Sequence, residues 1–249
     1  MSPRLRVVTL NIHKGLSHFN RRMVIHDLRD GLRGLDPDVV FLQEVQGLNQ
    51  RFALRFAAHP AEPQQAFLAG DQWQHVYGCN AVYDHGHHGN AILSRFGFVS
   101  FENEDVSDHR YERRGVLHSV VAVPGWRRNL HCVCVHLSLH ERGRSRQLEA
   151  IAGRLEALAA RDLPIIVAGD FNDWRHRASS LLERRLGMTE VSIARFGKAA
   201  RTFPAMMPVL RLDRIYVRGF KVVSSQVHRG KPWSRLSDHL AISAELERA

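Results

Sequence analysis

PIIVAGDFND, residues 164–173, runs four apolar side chains straight into a polar sequence. Ile165, Ile166, Val167 and Ala168, followed at once by Gly169, read as a short buried strand. Gly169 permits a sharp turn, and Asp170 and Asn172 follow two residues apart. On an extended chain that spacing sets both on one side, at the mouth of a sheet. A carboxylate and a carboxamide so placed can hold a water and a phosphate oxygen together. Taken alone, GDFN fits a polar turn after a strand equally well.

Working outward, apolar β-branched runs predict strands over residues 4–10 and 38–42, the second delivering Gln43 and Glu44 at its C-terminal end. Between them Met23, Ile25, Leu28 and Leu32 follow helical spacing, with Asn20 placed to cap the helix. A further helix is expected over residues 49–58, then strands over 73–79, 89–93, 96–101, 115–123 and 130–137. The clearest helix covers residues 141–160, and another follows over 178–186. Residues 210–217, 222–227 and 239–246 close the chain as strands. Several strands follow one another like hairpins, without strict alternation with helices. That order favours two mixed sheets packed face to face with helices outside, an α/β fold in four layers. No repeat, linker or low-complexity segment divides residues 1–249, so one domain is expected.

Composition sets broad limits. At 44% hydrophobic and 24% charged residues, the 249-residue chain has the make-up of a globular protein. No apolar run approaches the roughly 20 residues that cross a bilayer. The basic N-terminus enters a strand directly without a small-residue cleavage site, so no signal peptide is expected. Cys132 and Cys134 alternate on one strand and, with Cys79, read as thiols of a reducing cytoplasm. We expect a cytoplasmic monomer. The net charge is +10, from 35 Lys and Arg against 25 Asp and Glu. An Arg-rich surface suits nucleic acid, phospholipid headgroups or phosphorylated small molecules, although a basic proteome would also supply it.

Five polar clusters fall at expected strand ends: Asn11, Glu44, His136, Asp170 with Asn172, and Asp238 with His239. Asp213 falls inside a strand pattern, where a charge is costly unless paired. These are the residue types that phosphate hydrolysis requires. TLNIHKG (9–15), FLQEV (41–45), GNAILSR (89–95), VHLSLHERGRSRQ (135–147), GDFN (169–172), RLDRI (211–215) and SDH (237–239) appear in that order. Together they resemble the endonuclease/exonuclease/phosphatase superfamily. Its members include pancreatic-type deoxyribonucleases, abasic-site endonucleases, inositol polyphosphate phosphatases and bacterial sphingomyelinases.

The resemblance implies an α/β/β/α sandwich and hydrolysis of phosphoesters with a divalent metal, Mg²⁺ or alternatively Mn²⁺. Glu44 would be the main metal ligand, assisted by Asn11 and Asp238, as suits a hard cation that takes few protein oxygens. Asp170 and Asn172 would position the attacking water, and His239 with Asp213 would face the scissile phosphate. His136 would serve the leaving oxygen or the charge on the transition state. Asn11, Asn90 and Arg144 would contact substrate, although Arg144 and Gln147 also fit a solvated helix face. The cluster Asp84, His85, His87 and His88 has zinc-like residue types but sits in a Gly-rich turn. The resulting expectation is a phosphodiesterase, with nucleic acid slightly preferred over a phospholipid or sphingolipid headgroup. A phosphatase or a non-hydrolytic anion-binding scaffold are the remaining alternatives.

Overall fold

The computed structural model describes residues 4–108, 112–174 and 177–249. Among the described residues, twelve strands form two six-stranded sheets. In the first, β1 (Arg4–Asn11) lies parallel to β2 (Val39–Asn49). Beyond β2 the hairpin of β3 (Gln74–Tyr83) and β4 (Gly86–Ser94) extends one edge. β12 (Ile242–Arg248) and β11 (Phe220–Val227) extend the other. The second sheet repeats the plan. β7 (Leu130–His136) lies parallel to β8 (Ile165–Asp170), flanked by β5 (Gly97–Asp105) and β6 (Gly115–Ala122) on one side. β10 (Asp213–Arg218) and the short β9 (Thr189–Glu190) complete it.

Each parallel pair needs a helical crossover. α1 (Ile25–Leu35) links β1 to β2, and α4 (Glu141–Ala160) links β7 to β8. Alternation along the strands then builds three cores. Val8 and Leu10 face Ile25, Leu28 and Leu32 of α1, whereas Leu5 and Val7 meet Ile166 and Ile215 between the sheets. Val133 and Val135 face Leu148, Ile151 and Leu155 of α4. Cys132 and Cys134 point the other way and lie fully buried between the sheets. The layers are therefore α/β/β/α, as expected.

Several elements differ from the sequence reading. The first helix begins at Ile25, with Val24 at its cap position, because Asn20 is used in a preceding 3₁₀ turn. The helix expected over 49–58 shrinks to α2 (Gln50–Arg55), capped by Asn49 accepting from Phe52 N at 2.9 Å. An unforeseen α3 (Gln64–Ala69) follows. β5 runs on to Asp105, and the stretch 188–208 contains β9 and α6 (Val191–Phe196). The remaining helices are α5 (Arg177–Leu186) and α7 (Trp233–Leu236).

Gly169 illustrates how the sequence fixes one close approach. Its φ is +146°, and a Cβ there would stand 2.0 Å from the carbonyl oxygen of Val135 on β7. Backbone cannot yield as a side chain tip can, and L residues avoid this φ. Gly169→Ala is therefore expected to destabilise the protein by about 3 kcal/mol, measurable as a lowered denaturant midpoint.

Candidate active site

The topology gathers distant residues at one rim. The parallel strands β1 and β2 run the same way, and Asn11 ends β1. β12 is antiparallel to β1 and begins opposite Thr9. The SDH segment just before it must therefore lie against Asn11, and Ser237 Oγ donates to the Asn11 carbonyl at 2.7 Å. In the second sheet His136 and Asp170 pair in register at the ends of β7 and β8. β10 is antiparallel to β8, which sets Asp213, its first residue, opposite Asp170. Asp213 thus starts a strand instead of sitting within one.

Glu44 reaches the same rim by a different device. β2 does not end at Gln43 and Glu44 but continues to Asn49, with its register against β4 shifted between Leu42 and Val45. Glu44 occupies that bulge with φ +56°. A bulge adds one residue to a strand and re-aims a side chain, here toward Asn11.

Asn11 joins the two sheets at the centre. Its Nδ2 donates to Glu44 Oε1 at 3.3 Å and to Asp170 Oδ2 at 3.2 Å. Asp170 Oδ2 also lies 3.5 Å from His136 Nε2 and 3.8 Å from His239 Nε2. The other ring nitrogen of His239 is 2.9 Å from Asp213 Oδ2, to which Thr202 Oγ1 also donates. Phe203 packs against the His239 ring, with centroids 4.9 Å apart. Asp170 Oδ1 accepts from Asn172 N at 3.0 Å, and Asn172 Nδ2 donates to the Leu137 carbonyl at 2.9 Å. That turn is braced by the buried Arg214, which donates to the Asp173 carbonyl at 3.0 Å.

Electrostatics follow from burial and these partners. Burial opposes the imidazolium of His239, but the Asp213 and Asp170 carboxylates outweigh it and push the pKa up to about 10. Burial raises Asp170 to about 6, despite the nearby His239. Burial, together with Arg114, holds His136 well below the usual imidazole range. Glu44 moves the opposite way: its burial penalty is overcome by Lys14, His136 and His13 and by the Asn11 hydrogen bond, leaving it ionised across the ordinary pH range.

A divalent cation would suit this donor set. Among the described residues, Glu44 Oε2 is buried and accepts no hydrogen bond, with Lys14 Nζ 3.3 Å away. Lys14 offsets part of the cost of burying that charge, and the oxygen, accepting no hydrogen bond, is free to face a hard cation as well. Asp238 is nearby but engaged, its Oδ2 lying 3.1 Å from His13 Nδ1. Asp170, Asp213 and His239 form a second group with ligand atoms within 4.8 Å of one another. In that group the ring nitrogens of His239 already face the two carboxylates.

Residues 8–239 match the Endonuclease/Exonuclease/phosphatase family. The chain belongs to that family. Endonuclease/exonuclease/phosphatase proteins are typically hydrolases of phosphoester bonds and generally use a divalent metal. Among relatives, the Uncharacterized protein YbhP of Escherichia coli strain K12 is 43% identical over 242 residues, covering 97% of this chain and 95% of that protein. The fold is shared with an endonuclease/exonuclease/phosphatase from Beutenbergia cavernae, with a TM-score of 0.76 and 21% identity over 99% of this chain and 72% of that one. It is shared also with D. rerio TDP2 complexed with a single strand DNA product. There the TM-score is 0.71, with 19% identity, 98% of this chain and 99% of that chain covered.

Not every residue named from the sequence reaches the rim centre. Asn90 is buried and bridges the sheets, its Nδ2 donating to Gly115 O at 3.0 Å and Cys134 O at 3.4 Å. It lines a small recess with Glu44, His88, Arg114 and His136. Arg144 is buried, not on a solvated face. Its Nη1 donates to the carbonyls of Ser138 and Leu139 and its guanidinium stacks on Trp174 at 4.8 Å. Gln147 likewise holds the Ser138 amide at 2.8 Å. The pair thus shapes the loop after His136. Among the described residues, Asp84, His85, His87 and His88 assemble no metal group, and His87 and His88 lie in β4. The sequence also points to residues 103–114 and 188–208 as loops around the cleft that would choose the ligand; residues 109–111 of the first fall outside the described residues. His13, Lys14 and Thr202 were not singled out as site residues from the sequence. Each had a signal: His13 and Lys14 stand two and three residues after Asn11 in TLNIHKG, and Thr202 lies in the 188–208 stretch whose Thr202-Phe203-Pro204 reads as a wall beside the phosphate.

Proposed function

We propose that this endonuclease/exonuclease/phosphatase protein is a Mg²⁺-dependent phosphodiesterase acting on nucleic acid. The observation that carries this reading is the shared position of Asp170 Oδ2, in reach of Asn11, His136 and His239 at once. Glu44 would be the principal holder of the metal, with Asn11 and Asp238 beside it, and Mn²⁺ would be an acceptable substitute. When bound, such an ion polarises the phosphoryl group and neutralises the leaving oxyanion.

The chain's own residues supply the rest. Asp170, ionised above about pH 6, takes a proton from the attacking water, whose oxygen bonds to phosphorus as the ester oxygen departs. Asn172 fixes the Asp170 carboxylate through its backbone amide. His239, oriented and charged by Asp213, hydrogen-bonds a non-bridging phosphate oxygen as negative charge grows. His136 offers a ring N–H toward the leaving oxygen. Asn11 braces Glu44 and Asp170 beneath the phosphate, Asn90 braces the strands beside it, and Arg144 holds the loop that borders the substrate.

The +10 charge favours a polyanion. A lipid headgroup is the second reading, favoured by the exposed Met206, Met207 and Val209 on the loop that also carries Phe203. A substrate panel separates the readings: plasmid and short RNA on one side, phosphatidyl and sphingomyelin vesicles on the other. We expect nicking that EDTA abolishes and silent vesicles. Headgroup release with intact plasmid would favour the lipid reading.

A further inference from the structure

A cavity of about 470 Å³ opens beside the active-site rim, larger than the recess at Glu44 itself and within the range of small-ligand pockets. Lys198, Arg201, Arg211 and Arg229 surround it, and no Asp or Glu lines it. Its floor is polar, where the buried Ser192 and Ser225 hydroxyls lie 3.3 Å apart. Phe196, 60% exposed, forms one wall. Among the described residues, no carboxylate pairs with Lys198, Arg201 or Arg229.

Its place in the fold ties it to the reaction centre. β11 runs parallel to β1, because both are antiparallel to β12, and its last residue, Val227, lies level with Ile242 and Thr9, two residues short of Asn11. Arg201 adjoins Thr202, whose hydroxyl bonds Asp213. Arg211 precedes Asp213 by two residues, at most about 7.6 Å of chain. Arg201 and Arg211 of the cavity thus stand one and two residues from the Thr202–Asp213 pair that holds His239.

We infer that this cavity is a second anion subsite, holding a phosphate that flanks the scissile one along a nucleic-acid strand. The inference rests on the phosphodiesterase reading and extends it. Lys198, Arg201 and Arg229, clustered with no carboxylate partner among the described residues, can recruit a polyanion. A lipid such as sphingomyelin or phosphatidylcholine carries one phosphate and would leave this cavity unused, whereas a strand carries one per nucleotide. The exposed ring of Phe196 adds a face on which a neighbouring base can stack.

The test compares the full-length protein with its Arg201→Ala/Arg229→Ala variant, both positions being exposed. Hexathymidylate presents flanking phosphates, and bis(p-nitrophenyl) phosphate presents none. With Mg²⁺, kcat/KM on the hexamer is expected to fall about tenfold or more, while turnover of the small diester stays within about twofold. In EDTA, binding of the labelled hexamer is expected to show a shallower salt dependence, by about 0.7 in log–log slope for each phosphate that the variant no longer neutralises. Equal losses on both substrates, or no loss on either, would overturn the subsite. If the wild type cleaves neither substrate, the catalytic reading fails on its own. The binding slope then still decides the cavity: a shallower slope supports it and an unchanged one rejects it.

Discussion

Asp170→Asn is expected to lower kcat/KM for a phosphodiester by about 10³-fold, in the middle of the range for a positioned proton acceptor. The substitution keeps the shape of a side chain that Asn11 and the Asn172 amide both hold. It removes the group that takes the water's proton. The pH profile supplies an independent reading. Asp170 is pushed up to about 6, so the wild-type rate rises as pH climbs through that value. His239 is pushed up to about 10, so the rate falls again as its proton leaves. Asp213→Asn takes away the carboxylate that does most to hold the His239 proton, and the alkaline limb should move toward neutrality. The acid limb should shift slightly downward, since Asp170 loses a like-charged neighbour. Both limbs are properties of the coupled cluster and not of single residues. An Asp170→Asn enzyme with wild-type rate and profile would remove Asp170 from the chemistry.

Glu44→Gln should act through the metal instead. The variant is nearly isosteric but brings no charge to the position beside Lys14. Half-maximal activation should need about 100-fold more Mg²⁺, since metal affinity falls steeply when a carboxylate ligand is neutralised. At fixed low Mg²⁺ the rate should drop by about 10²–10³-fold, the scale of losing one strong transition-state charge interaction. EDTA should silence the wild type, and Mg²⁺ or Mn²⁺ should restore it. A thermal melt near that of the wild type would show that the bulge is intact. Equal Mg²⁺ responses from both proteins would move the metal to another donor set, of which Asp170, Asp213 and His239 is the one to test next.

Much of this arrangement is written locally. Runs such as Ile165 to Ala168 carry their strand assignment in four residues, and the face of α4 is legible from Leu148, Ile151 and Leu155. Asn11, Asp170 and His239 each sit beside a strand end that the sequence marks. The long β2 was not legible, because the break after Leu42 reads as a strand end. Only pairing with β4 reveals a bulge with the strand resuming beyond it. Arg144 reads from sequence as a substrate contact or a solvated cation on an Arg-rich helix, and its burial depends on the loop at Ser138 and Leu139 folding over it. Thr202 lies in a segment without periodicity, and nothing but the tertiary fold sets its hydroxyl against Asp213. Interactions between segments far apart in the chain decide such residues, and a local pattern does not contain them.

Asn11 draws Glu44 from one sheet and Asp170 from the other into a single hydrogen-bonded unit. Neither slab can therefore perform chemistry before the two have docked, and half-assembled chains would be inert even with every strand in place. Recovery of turnover during refolding would then time the closing of the central apolar layer. A slip of even a few tenths of an ångström between slabs would register in rate long before it registered in melting temperature.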